Sequence, residues 1–155
     1  MEYYRSNDLK HIAEAKSYKE LLVVALDVLE KISYSSPSKP IAMVCGPISN
    51  GGTGSRKENL RIFSQAIDRV TSGGLIVFNQ MPFEDDMERI YKYDPELQGL
   101  RLLEEFYLPI FKTNLISMLL FLPGWQNSVD ANWEYGQSKK LEIPTIRLAE
   151  YYISD

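Results

Sequence analysis

The fold of this chain is decided by residues 41–55, which read IAMVCGPISNGGTGS. The first five residues are apolar and end at Gly46-Pro47, a pattern typical of a buried strand in a parallel sheet. A glycine-rich loop follows. Ser55 and Glu58 then have the spacing of a capping box, which predicts the start of a helix. The stretch therefore predicts a strand, a glycine loop and a helix in succession.

The same alternation continues to the end of the chain. Apolar runs predict further strands at residues 75–78, 116–122 and 144–148. Helices are predicted over residues 55–73, 97–113 with a bend near Pro109, and 128–141, with a short helix on a loop within 81–93. Such repeats form right-handed crossovers. We expect an α/β fold, a flavodoxin-like or Rossmann-like three-layer sandwich with a mainly parallel sheet of four to five strands.

The N-terminal residues form a separate helical segment in this prediction. Ser17 and Glu20 have capping-box spacing, and a broad apolar face follows up to Ile32. Residues 35–40, SSPSKP, favour extended or turn backbone and form a linker. A length of 155 residues is typical of one domain. We expect an N-terminal helical extension over residues 1–36 and the α/β domain over residues 40–155.

Composition excludes several classes of function. The net charge of −4, without clusters of Lys and Arg, argues against a nucleic-acid polymer as partner. The longest apolar stretch, residues 115–123, is far shorter than the ~20 residues of a membrane helix. The N-terminus lacks the order of a secretory signal, so we expect a cytoplasmic protein without membrane association. One cysteine and one histidine are too few for a zinc site, and we expect no metal or cofactor.

Two loops lie where parallel sheets bind ligands, outside the carboxyl ends of the strands. They are residues 46–55 and 123–128. The glycines of the first would let backbone N–H groups approach a phosphate at the positive end of the next helix. Arg56 and Lys57 oppose that helix dipole unless an anion is near. The alternative is a flexible glycine turn with two solvated cations, and the loop matches neither a Walker A motif nor the full dinucleotide fingerprint.

The second loop leads into Ser128, Asp130 and Glu134. The two acids are four residues apart on one helix face, where mutual repulsion would raise one pKa. A carboxylate near a strand end is a reasonable nucleophile or base, although on spacing alone a capping serine and a solvated acidic face are the favoured explanation. Cys45 has no histidine partner and fits a buried small residue better than a nucleophile. His11 lies outside the sheet region and is expected at the surface.

These loops also carry a family resemblance. Residues 43–52, MVCGPISNGG, and 122–136, LPGWQNSVDANWEYG, resemble the nucleoside 2-deoxyribosyltransferase superfamily. The likeness is strongest to the 2′-deoxynucleoside 5′-phosphate N-hydrolase branch and its uncharacterised bacterial and phage relatives, and it covers roughly residues 40–148. It implies a small nucleotide or nucleoside as ligand. The implied substrate-binding residues are Cys45, Gly46, Pro47, Ile48, Ser49, Asn50, Gly51, Gly52, Asn127 and Ser128.

The resemblance also implies a mechanism. Glu134 occupies the place of the nucleophile that attacks the anomeric carbon, and Ser128, six residues earlier, matches the serine that holds the 5′-phosphate. The reaction would proceed through a glycosyl-enzyme ester, as in retaining glycosidases. The chain departs from the family at four positions, with Met43 for a tyrosine, no acid around Pro109, Ser117 for an acid and Asp130 for a glycine. Asp130 is one candidate for the missing acid, and the others are Glu84, Asp85 and Asp86.

Three further expectations complete the prediction. Residues 51–58, GGTGSRKE, are similar to the motif of cytokinin-type phosphoribohydrolases, although that motif comes late in the sheet and here follows the first strand. A catalytically silent nucleotide sensor is a second alternative, which the missing acid and tyrosine favour. The aromatic residues of the segment from Phe106 to Phe111, taken as exposed, together with the family's habit, predict a homodimer.

Overall fold

The structure is a computed structural model that describes residues 3–93 and 99–155. In chain order the elements are α1 (Ser6–Glu14), α2 (Tyr18–Ser35), β1 (Ile41–Cys45), α3 (Arg56–Ser72), β2 (Ile76–Val77), α4 (Glu84–Tyr93), α5 (Gly99–Leu102), α6 (Leu108–Lys112), β3 (Met118–Phe121), α7 (Val129–Lys140) and β4 (Thr145–Arg147). They form two compact units. The sheet unit comprises Pro40–Asn79 and Ile116–Asp155, and the helical unit comprises Met1–Lys39 and Gln80–Leu115.

The sheet unit confirms the predicted fold class. Its four strands are all parallel and lie in the order β2-β1-β3-β4, which is the flavodoxin-like order. β1 is central, because it pairs with β2 on one side and β3 on the other, and all five of its residues are buried. This position explains its unbroken apolar run. β4 forms an edge of the sheet and is largely exposed.

Three serines begin helices where the sequence predicts them. The side chains of Ser17, Ser55 and Ser128 accept hydrogen bonds from the backbone N–H three residues further on, at 3.2, 3.3 and 3.2 Å. Each bond satisfies one of the N–H groups that the first turn of a helix leaves without a partner. The predicted starts of α2, α3 and α7 are therefore confirmed.

The helix around Pro109 contains a wide turn. Residues Leu103–Tyr107 form a π-helical turn, and the Leu108 N–H donates to the Leu103 carbonyl, five residues back. In a regular α-helix the Pro109 ring would clash with the carbonyl of Glu105. The wider turn accommodates the ring without ending the helix. The predicted start of this helix, Leu97, lies outside the described residues.

The aromatic residues of this helix are buried, so the exposure on which the homodimer prediction partly rested is wrong, and the homodimer itself stays a prediction. Phe106 is 0% exposed and Phe111 is 1% exposed. The ring of Phe106 lies 5.2 Å from that of Phe83 and 4.9 Å from that of Tyr107, all within the helical unit. These side chains form the core of that unit and offer no surface to a second copy of the chain.

A partly buried ion pair joins α1 to α2. Asp8 accepts hydrogen bonds from the Arg5 backbone N–H at 2.8 Å and from the Lys31 ammonium at 2.9 Å. Burial alone would raise the pKa of Asp8, but these two donors hold it below its ordinary value. The carboxylate is therefore stabilised in the folded state relative to the unfolded one.

We expect Asp8→Asn to lower the free energy of unfolding at pH 7 by about 1 kcal/mol, because a charged acceptor is lost. The difference from the wild type should persist above the unfolded-state pKa of about 3.9 and vanish as the pH falls through the lower folded-state pKa. Urea unfolding at several pH values measures this. Asp27→Asn is the control, because Asp27 binds the same Lys31 but is 55% exposed, and should change stability by less than about 0.5 kcal/mol.

Candidate functional site

A buried thiol and a buried carboxylate meet at the carboxyl end of β1. The Sγ of Cys45, the last residue of the strand, donates to the Oε2 of Glu134 on α7 at 3.4 Å. Cys45 is 1% exposed and Glu134 is 6% exposed. Burial, together with the charge and hydrogen bond of Glu134, raises the pKa of Cys45 well above its ordinary value. The thiol is thus a protonated donor and not a thiolate nucleophile, as expected from the sequence.

The two predicted ligand loops are in direct contact. The Asn50 Oδ1 in the first loop accepts from the Val129 backbone N–H at the start of α7, at 3.0 Å. Gly51, with φ +71°, packs so closely on the second loop that an added Cβ would lie 2.5 Å from the carbonyl oxygen of Asn127. The loops therefore hold the starts of α3 and α7 together above β1 and β3.

Asn59, which the sequence did not single out, holds the glycine loop through hydrogen bonds from α3. Its Oδ1 accepts from the N–H and the hydroxyl of Thr53 at 2.9 and 2.8 Å, and its Nδ2 donates to the carbonyls of Ile48 and Gly51 at 2.9 and 3.2 Å. The side chain is 4% exposed. Asn59 lies one turn before Phe63 on the apolar stripe of α3. A polar residue on such a stripe needs buried partners, which was the available signal.

The acidic residues of α7 differ in their surroundings. Asp130 is half-buried, and burial raises its pKa. The spacing of the two acids predicts that repulsion from Glu134 raises one pKa of the pair, but burial is what raises the pKa of Asp130. Ser128 is 2% exposed, and its Oγ accepts from Ala131. No acceptor in the described part of the chain takes a hydrogen bond from its hydroxyl.

The remaining predicted residues divide by burial. Gly46 and Pro47 are buried, Ile48 and Gly51 are half-buried, and Ser49, Asn50, Gly52 and Asn127 are exposed. In the helical unit, Glu84 is buried near the hydroxyl of Tyr107, 3.5 Å away, Asp85 is exposed, and Asp86 pairs with Arg89 at 2.9 Å. In the sheet unit, Glu58 binds Arg61 at 2.5 Å.

An aromatic cluster fixes the rotation of α7. The Tyr135 ring stacks on Trp125 with a centroid distance of 4.8 Å and meets Phe121 edge-on at 5.5 Å. The guanidinium of Arg147 covers the Trp125 ring at 5.5 Å. Because Tyr135 follows Glu134 directly, packing of its ring on β3 helps to set the direction of the Glu134 side chain.

Comparison with known proteins found no match to a family model, a curated protein or a solved structure. Over residues 3–93 and 99–155, no group of three or more His, Cys, Asp or Glu side chains is arranged to hold a metal ion. None of the described helices is long and apolar enough to cross a membrane.

The contact between the loops can be tested with two alanine substitutions. Gly51 and Gly54 both have positive φ, but an added Cβ at Gly54 would meet nothing within 4 Å. We expect Gly54→Ala to cost only the left-handed backbone strain of about 1 to 2 kcal/mol. Gly51→Ala should cost at least about 1 kcal/mol more, because the methyl group clashes with Asn127. Chemical denaturation measures both, and equal losses would contradict the contact.

Proposed function

We propose that this chain cleaves the N-glycosidic bond of a nucleoside or deoxynucleoside 5′-monophosphate, with Glu134 as the nucleophile. The observation that carries the proposal is the Cys45–Glu134 pair, which lies at a strand end in the sheet unit. Ligands of open parallel sheets bind at this edge. The resemblance of the two loops to the nucleoside 2-deoxyribosyltransferase superfamily gives the chemistry.

The thiol suits a nucleophilic carboxylate. Cys45 orients Oε2 of Glu134 with a weak donor, which neutralises far less of the negative charge than an ammonium or guanidinium hydrogen bond would. The hydrogen bond thereby fixes the direction of one carboxylate oxygen. In the proposed reaction, a carboxylate oxygen forms a bond to the anomeric carbon as the bond from that carbon to the base nitrogen breaks. Water then hydrolyses the resulting ester.

The loops supply groups for the 5′-phosphate. No acceptor among the described residues takes a hydrogen bond from the N–H groups of Gly51 and Gly52. The hydroxyl of Ser128 is likewise available, and α3 and α7 both begin at this edge of the sheet. Backbone N–H groups at helix starts stabilise phosphate through hydrogen bonds and through the positive ends of the helix dipoles.

Asp130 is our candidate for the general acid. It lies one turn before Glu134 on α7, and its raised pKa lets it keep a proton to higher pH than an exposed aspartate. In the first step it would protonate the departing base. As a carboxylate it would then accept the proton of the water that resolves the ester. This assignment draws all the proposed catalytic residues from one helix.

Glu134→Gln should abolish catalysis while leaving ligand binding intact. The substitution keeps the size of the side chain but removes the anionic nucleophile, so base release from nucleoside monophosphates should fall by about three orders of magnitude or more. Chromatography of the released base measures this. Glu142→Gln, at an exposed acid outside α7, is the control and should retain wild-type activity. Wild-type protein trapped with a 2-fluoro sugar analogue should carry the adduct on Glu134 in mass spectrometry.

Two results would replace this mechanism. If base release is robust and Glu134→Gln retains it, the phosphoribohydrolase interpretation centred on Glu58 takes its place. If a nucleotide binds and no base is released from any substrate, the chain is a nucleotide sensor.

The phosphate contact has its own test. Deoxynucleoside monophosphates should bind more tightly than the matching nucleosides, and Ser128→Ala should weaken the monophosphates alone by about tenfold, because a charge-assisted hydrogen bond is lost. Calorimetry measures both. Ser17→Ala is the matched control, since it removes an equivalent helix cap in the helical unit and should cost a similar ~1 kcal/mol of stability without changing affinity. Equal affinity for nucleotide and nucleoside would contradict the phosphate site.

A further inference from the structure

A cavity lies in the sheet unit beside the glycine loop. Its volume is about 280 Å³, close to the lower limit of small-molecule sites at about 300 Å³. Its walls include the apolar side chains of Pro47, Ile62, Leu122 and Ile153, and Asn127 and Glu150 add polar groups. Neither Cys45 nor Glu134 lines it, and Ser128 does not line it either. The cavity thus lies apart from the thiol–carboxylate pair, although Pro47, Gly52 and Asn127 of the implied substrate-binding residues line it.

The C-terminal segment that closes this cavity is held in place by three side chains of α3. Arg61, Gln65 and Arg69 are spaced by four residues and lie on one face of the helix. Gln65 donates to the carbonyl of Ser154 at 2.9 Å, and Arg61 pairs with Asp155 at 3.5 Å.

Arg69 makes three contacts with this segment. It donates to the carbonyls of both Tyr151 and Ser154, and its guanidinium covers the Tyr151 ring at 5.0 Å. These bonds fix the turn Glu150–Tyr152 and the following Ile153 against α3. Because the acceptors are backbone carbonyls, these hydrogen bonds order the main chain of the C-terminal segment. The contacts with α3 thus hold Glu150 and Ile153 where they line the cavity.

The charges around the cavity select its ligand. Of the described residues that line it, Glu150 alone is charged, and its exposure places it at the mouth. A phosphate or carboxylate would be repelled at the end of the cavity that Glu150 occupies. Asn59 also lines the cavity, but its side chain is fully occupied by the glycine loop. The polar side chains that remain are Glu150 and Asn127, with the hydroxyl of Thr53 already bound to Asn59.

We infer that this cavity binds a small planar ligand whose apolar ring lies between Ile62, Leu122 and Ile153 and whose paired N–H donors face the Glu150 carboxylate. Amidines and amino-substituted heterocycles with adjacent N–H groups have this chemistry. A carboxylate accepts two parallel hydrogen bonds from such an edge. The ligand would also touch Gly52 and Thr53, so it would contact the loop that we propose for phosphate binding.

The test compares benzamidine with benzoate on the full chain, because the two probes share a phenyl ring and differ in donors and charge. Isocytosine presents a similar N–H edge without charge. Titrations followed by methyl NMR should show benzamidine shifting the methyl signals of Ile62, Leu122 and Ile153, and benzoate leaving them unchanged. If isocytosine binds as well as benzamidine does, the site accepts neutral heterocycles. If benzamidine binds and isocytosine does not, the site requires a cation.

Variants then locate the donor contact. Glu150→Gln should weaken benzamidine by at least about tenfold, because a charge-assisted pair is lost. Glu142→Gln, at an exposed acid outside the cavity, should not change the affinity. Ile62→Phe, which narrows the cavity and keeps Glu150, should also abolish binding. Equal binding of benzamidine and benzoate, no binding of either, shifts elsewhere in the chain, or full affinity in Glu150→Gln would each overturn the inference.

Discussion

The close approach of Gly51 to the carbonyl of Asn127 is the contact on which the candidate site at the carboxyl edge of the sheet depends. No other residue type could occupy position 51 without moving one loop away from the other, because a Cβ would lie 2.5 Å from that oxygen. Asn50, the preceding residue, closes the same junction through its hydrogen bond to Val129. The start of α7 is thereby fixed against the glycine loop. The positions of Ser128 and Glu134 follow from that, since both belong to this helix.

The glycine loop owes its shape to a buried amide as much as to its glycines. Glycine permits positive φ but stabilises no single conformation, and it increases the entropy lost on folding. Asn59 offsets that loss by making four hydrogen bonds to three loop residues. Because all four come from one side chain held on α3, the loop is ordered before any ligand arrives. Pre-organisation of this kind raises affinity without adding contacts.

Much of the fold could be predicted from the sequence because each element has a local signal. Three kinds of local signal sufficed: the apolar run of β1, the three capping serines and the prolines. Each affects the backbone only within a few residues of its own position. The burial of Phe106 could not be predicted in this way, because an aromatic residue on a helix is equally consistent with a core and with a dimer interface. Its partner Phe83 is distant in sequence, and only the fold brings the two rings together.

The sequence predicts where the loops and helix starts of the candidate site lie, but it predicts few of the side-chain contacts within it. Glycines and caps identify a loop edge, but the pairing of Cys45 with Glu134 joins residues 89 positions apart. The partners of Asn59 were hidden for a similar reason, although its place on the apolar stripe of α3 indicates that it needs buried ones. Its four bonds depend on the path of a loop that no local pattern specifies.

The two sides of the glycine loop have opposite electrostatic character. On one side its N–H groups and the starts of α3 and α7 favour an anion. The described residues that line the cavity include no cation, and Glu150 is exposed at its mouth. A ligand in the cavity and a phosphate at the helix starts would therefore not compete for the same charges. They would instead be linked mechanically, because Gly52 and Thr53 line the cavity while Asn59 holds both the loop and the cavity wall. A cavity ligand that displaced Thr53 would break its two hydrogen bonds to Asn59, the side chain that also binds the Gly51 carbonyl.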